Sequence, residues 1–131
     1  MKAPMTKKNL SRYYEMKQEY KKQEKTLEEI QDFLSQCQEC KSHNCEQRRG
    51  LELYHKGLEK LVELTAVVCD YEKKHLQSQI DKVPDCRMHR ILASRYIGGL
   101  SWNQVAASVG CQLTGKQVRK LHNYYLKEIA D

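Results

Sequence analysis

The densest set of metal-ligand side chains in the chain falls within nine residues: Cys37, Cys40, His43 and Cys45. Thiolate and imidazole donors suit tetrahedral zinc, and an ion held there would staple a loop. The other reading is a polar connection that happens to contain thiols. The spacing is tighter than that of a familiar finger, and no second Cys-x2-Cys completes the set. Cys37 also falls on a helical stripe described below. The loop reading is the stronger one, and neither metal nor other cofactor is expected. His55, His75 and His89 stand without a nucleophile–base pattern beside them, His122 is expected to pack partly beside Leu121 on the last helix, and the six Gly form no phosphate-cradling loop. The expectation is a protein that is not an enzyme.

The remaining chemistry is that of cations. Residues 1–36 carry eight basic and six acidic side chains, and residues 37–84 carry eight of each. From Cys86 to Lys127 there are seven Lys and Arg and no Asp or Glu. An acid-free run of that length predicts a positive local potential and a polyanionic partner, of which nucleic acid is the commonest. If Val118, Leu121, Tyr125 and Ile129 face a core, the helical period turns Lys116, Gln117, Lys120 and Asn123 outward, with Arg119 and Lys127 flanking them. Gln and Asn pair with adenine and Lys with guanine, so Gln117, Lys120 and Asn123 are candidate readers of base edges. Ser101, Asn103, Lys116 and Lys127 sit near helix ends, where phosphate contacts are made. Trp102 is expected to pack between helices, and Tyr124 to point away from the core face.

These residues need helices to position them. The chain of 131 residues has two Pro and one Phe, and its first two-thirds is dominated by Lys, Glu, Gln and Leu. That composition argues for long helices and against a β-sandwich. Tyr13, Tyr20, Leu27 and Leu34 recur every seven residues, and Met16, Ile30 and Cys37 form a second series broken by Gln23. This is the seam of a helix–helix pair, predicted over about residues 6–35. After a polar break at 36–50, Leu51, Tyr54, Leu58, Leu61, Thr65 and Val68 continue a seam to near Lys82, widened by Val62, Cys69 and Leu76. Two such helices predict an antiparallel hairpin over residues 1–83, with the same stripes available for homodimerisation. Pro84 marks the boundary. Beyond it Asp85 caps a helix to Ile97, Gly98-Gly99 stops it, Ser101 with Gln104 opens a second, Gly110 ends that, and Thr114 with Gln117 opens the last. The expected fold is all-α: a coiled-coil-like hairpin, then a three-helix helix-turn-helix domain over 84–131. No apolar segment is long enough to span a membrane, and Lys7, Lys8 and Arg12 interrupt any export signal, so a cytoplasmic protein with reduced thiols is expected.

The string RYIGGLSWNQVAASVG from Arg95 to Gly110, followed by QVRKLHNYYLKEI from Gln117 to Ile129, resembles the C-terminal module of phage and prophage regulators of the RinA/ArpU-like type. That module is similar to the promoter-binding region 4 of sigma factors. The resemblance covers about residues 86–129. It implies that Leu100, Ser101 and Trp102 open the supporting helix, Val105 and Ala106 pack, Gly110 turns, and Arg119 to His122 lie in the recognition helix. Asn103 and Gln104 stand where an acidic pair is frequent, and the turn from Gly110 to Val118 is about two residues longer than usual. The function implied is sequence-specific binding of double-stranded DNA by a phage-encoded transcription regulator. The second reading is an interaction protein whose basic domain binds a host protein, such as RNA polymerase or a nucleic-acid-handling defence complex.

Overall fold

A computed structural model describes residues 5–36, 45–110 and 112–130. All regular structure among them is helical: α1 Lys7–Leu10, α2 Arg12–Gln36, α3 Cys45–Asp81, α4 Cys86–Leu92, α5 Trp102–Val109 and α6 Gly115–Ala130. The chain divides into two compact units, residues 16–69 and residues 1–15 with 70–131. Among the described residues no helix is long and apolar enough to cross a membrane. Cys37, Cys40 and His43, and the side chain of Cys45, lie outside the described residues.

The unit of residues 16–69 is the helical hairpin. Its strands of helix run antiparallel: at one level the Arg48 guanidinium donates to the Leu34 carbonyl at 3.2 Å, and at the other Tyr20 lies near Cys69. The Tyr20 phenol is held above its ordinary value, first by desolvation, then by Glu24 and Cys69. On α2 the expected positions are the covered ones. Met16, Tyr20, Gln23, Leu27 and Ile30 are half-buried and Leu34 is buried, while the residues between them are mostly exposed. The Gln23 Oε1 enters the seam without a hydrogen-bond partner.

On α3 the seam is rotated from the expected one. Arg48, Leu51, His55, Leu58, Val62, Thr65, Ala66 and Cys69 are covered, whereas Tyr54, Leu61 and Val68 are 57%, 47% and 39% exposed. The apolar arc of this helix is wider than one partner helix can cover. The residues expected to widen the stripe are therefore central to it, and three of those expected at its centre face outward.

The other unit is built on three helices that the sequence ends with. Asp85 caps α4 by accepting from the Arg87 and Met88 amides. Ser101 and Gln104 form the reciprocal capping box of α5, and Thr114 and Gln117 exchange the same pair of bonds at α6. Caps of this kind contribute about 1 kcal/mol each. Between α5 and α6, Gly110 takes a φ of 82°, a conformation that glycine adopts without strain. Ile91, Leu92, Val105 and Val118 are fully buried. The boundary expected at residue 84 is not where this core stops: Leu10, Tyr13, Leu76, Ile80 and Val83 belong to it. Three short helices bury too little apolar surface by themselves, and the residue 5–15 segment and the end of α3 close the uncovered side.

Candidate nucleic-acid interface

Packing fixes which side of α6 is free. Gly115, Val118, His122 and Leu126 are its buried residues, with Leu121 and Tyr125 half-covered. Ile129, expected in the core, is 44% exposed, because the buried line runs through His122 and Leu126 instead. Opposite that line stand Lys116, Lys120 and Lys127, all exposed. The spacing of four and seven residues puts their ammonium groups in one strip along the helix. Tyr124 is 66% exposed beside them. Arg87, reaching over from α4, lines a concavity with Gln117, Lys120 and Tyr124 whose floor is Leu113 and Leu121.

The other expected contacts are spread more widely. Ser101 lies exposed at the start of α5, its hydroxyl accepting from the Gln104 amide at 3.3 Å. Asn103 is exposed, and its side-chain oxygen and backbone amide border Gly115. Gln117 uses its Oε1 to accept from the Thr114 amide at 2.9 Å, so the cap engages half of the amide expected to read a base. Asn123 is half-buried rather than outward, and its Oδ1 lies 3.0 Å from His122 Nδ1. Arg119 is turned away from the lysine strip and lines a different cavity, with Arg95 and His122.

His122 organises that second region. It is fully buried, and Tyr96 Oη stands 2.6 Å from its Nε2. Burial pushes the Tyr96 phenol up to about 12 against an opposing effect of Arg95, so the phenol keeps its proton and donates to Nε2. Nδ1–H then donates to Asn123. Trp102 meets the imidazole edge-on at 4.8 Å between centroids, and the Arg95 guanidinium lies 4.4 Å over the Trp102 ring. Arg95 and Tyr96 come from a π-helical turn, Ala93–Ile97, that continues α4. Such turns re-aim side chains within a helix.

Burial holds the His122 imidazole below its ordinary 6.5; the bond to Asn123 opposes this, while Lys7, Arg95 and Arg119 add to the lowering. The unfolded chain therefore binds this proton more readily than the folded one. The stability contributed by neutral His122 is full above pH 6.5 and is lost as pH falls from there through the lowered value. The urea midpoint of the protein is expected to drop between about pH 7.5 and about pH 5.5, and His122→Gln to reduce that drop. An undiminished drop in the variant would place the acid sensitivity in other groups.

Arg87 and Lys7 were not singled out by sequence. The acid-free run contains Arg87 without placing it next to α6, and no local pattern joins residue 7 to residue 119. Compared with known proteins, the chain matches no family model, no curated protein and no solved structure.

Proposed function

We propose that the chain is a non-enzymatic, sequence-specific regulator of transcription that binds double-stranded DNA, of the phage RinA/ArpU-like type and acting in the cytoplasm. The observation that carries this reading is the strip of Lys116, Lys120 and Lys127 on the free side of α6, within an acid-free stretch and behind a glycine-turned, doubly capped helix pair. A helix presented this way fits a major groove. Lys120 is the leading candidate for a base edge, and Lys116 and Lys127 for phosphates. Ser101 and Asn103, at the start of α5, are candidates for the flanking backbone. Duplex affinity measured against salt tests the reading. It is expected to fall steeply, to differ between sequences, and to lose about one unit of slope in Lys127→Ala. Absence of duplex binding at low salt overturns it.

A second reading has its own support. The concavity with an apolar floor of Leu113 and Leu121 and a rim of Arg87 and Lys120 suits an acidic, amphipathic segment of a host protein. The same titration separates the two, because this contact requires no duplex.

We further propose a homodimer through the outer face of α3. Leu53, Tyr54, Leu61, Leu64, Val67 and Val68 are between 39% and 70% exposed there. Together they form one apolar arc on the side of α3 away from the seam, and contiguous exposed apolar surface of this kind marks an association site. Their 3–4 spacing matches itself across a two-fold axis, with Leu61 of one copy against Leu64 of the other. Light scattering at micromolar concentration is expected to give twice the chain mass, and Leu61→Glu with Leu64→Glu to return it to one. A single-chain mass for the unaltered protein removes the dimer.

A further inference from the structure

The cavity beside His122 has a composition that the lysine strip does not explain. Its volume is about 320 Å³, and three cations from separate parts of the chain border it: Lys7 of α1, Arg95 of the π turn and Arg119 of α6. No Asp or Glu is among the lining residues. Bringing three like charges around one concavity is unfavourable unless an anion enters it. Two of them are guanidinium groups, whose planar donors match the oxygens of a phosphate. Arg95 is already oriented, since its Nη1 donates to the Leu100 carbonyl at 2.9 Å while its plane lies over Trp102.

The rest of the wall is aromatic apart from Ser11 and Gly99. Tyr14 is 44% exposed, and Gly99 next to its ring has no side chain to cover it. The floor is the Tyr96–His122 pair, whose donors and acceptors are satisfied by each other and by Asn123. A floor without an available acid or base binds rather than cleaves. A volume of about 320 Å³ is much more than a bare phosphate fills, and lies at the lower end of small-molecule pockets. Cations on one side and an open aromatic ring on another call for a ligand with both a phosphate and a flat ring.

We infer that this cavity is a nucleotide-binding site, in which Lys7, Arg95 and Arg119 hold the phosphate and the Tyr14 ring stacks on the base. The nucleotide is either free in solution or an unpaired unit of a nucleic-acid strand. The site shares no residue with the strip of Lys116, Lys120 and Lys127, so it stands or falls separately from the reading of α6 as a DNA-binding helix.

Trp102, the chain's single Trp, lines the cavity and reports on it. Its emission in the full-length chain is followed during titration with adenosine monophosphate, adenosine, inorganic phosphate and a short single-stranded oligonucleotide. Adenosine monophosphate is expected to change the emission saturably below about 1 mM, with adenosine and inorganic phosphate each at least about tenfold weaker. The exposed Lys7 and Arg119 can be altered without touching the core, and Lys7→Gln or Arg119→Gln is expected to weaken the mononucleotide about tenfold. Lys127→Gln is expected to leave it unchanged. Competition of the oligonucleotide with adenosine monophosphate, at higher affinity than the monomer, assigns the strand as source; weaker oligonucleotide binding assigns the free nucleotide. The inference is overturned if neither adenosine monophosphate nor the oligonucleotide alters Trp102 emission. It is equally overturned if adenosine or inorganic phosphate binds as well as the nucleotide, or if Lys7→Gln and Arg119→Gln, folded by circular dichroism, bind it undiminished. Duplex binding measured by salt titration is unaffected by any of these failures.

Discussion

Replacing Lys116, Lys120 and Lys127 together by Glu is expected to weaken duplex binding by on the order of 10³-fold or more at roughly 0.1 M salt, and to flatten the salt slope by about two units. Lys116 and Lys127 each release about one condensed counterion on neutralising a phosphate, and the loss of the Lys120 base contact adds to theirs on a logarithmic scale. Reversal adds repulsion between the strip and the DNA backbone. The fold tolerates the change because all three residues are exposed and lie on the side of α6 opposite Val118, His122 and Leu126. An acid at 116 suits the positive end of the helix and one at 127 opposes the negative end, effects of about 0.3–1 kcal/mol each that offset one another. Binding isotherms of the triple variant over several salt concentrations, with its circular dichroism spectrum, are the measurement. Unaltered affinity in a folded triple variant would remove α6 as the DNA-binding helix and put the host-protein contact at the apolar concavity first.

What the sequence could convey depended on how local each interaction is. The caps of α4, α5 and α6 involve residues within three positions of one another, and Asp85, Ser101 with Gln104, and Thr114 with Gln117 were legible for that reason. Gln117 was also expected to read DNA, and the two roles compete for one side chain. The seam of α2 was legible because its apolar series is narrow. That of α3 was not, because its apolar arc is wide enough to contain two stripes, and only the position of the partner helix selects between them. Partial packing of His122 was expected, but its full burial was hidden by its type. A histidine is buried at no great cost only when its nitrogens have partners, and one partner, Tyr96, lies 26 residues earlier. The part of the core contributed by Leu10 and Tyr13 rests on contacts with residues more than sixty positions away, for which no periodicity exists.

The second large effect concerns a residue with no side chain. Gly115→Ala is expected to destabilise the unit that contains α4, α5 and α6 by about 1–3 kcal/mol, and Gly115→Val by more. A Cβ at this position would meet the Asn103 side-chain oxygen, the Asn103 amide nitrogen at 2.9 Å and the Trp102 carbonyl carbon at 3.0 Å. The first neighbour can rotate away; the other two are backbone at the start of α5 and move only if the helix does. Alanine lowers the entropy of the unfolded chain and favours helix, which by itself would stabilise the protein by about 0.4–1 kcal/mol. The sign is decided by the contacts, and two backbone atoms at or within 3.0 Å outweigh the propensity gain. Gly50 supplies the opposite case, since it is exposed in α3 and has nothing within 4 Å of where a Cβ would stand. Gly50→Ala is therefore expected to stabilise the hairpin by about 0.5–1 kcal/mol. Urea denaturation of the two variants should move the midpoint in opposite directions. A Gly115→Ala midpoint equal to or above that of the unaltered protein would mean that α5 and α6 do not approach at Gly115. The angle of α6 that presents the lysine strip, which rests on that approach, would then be lost as well.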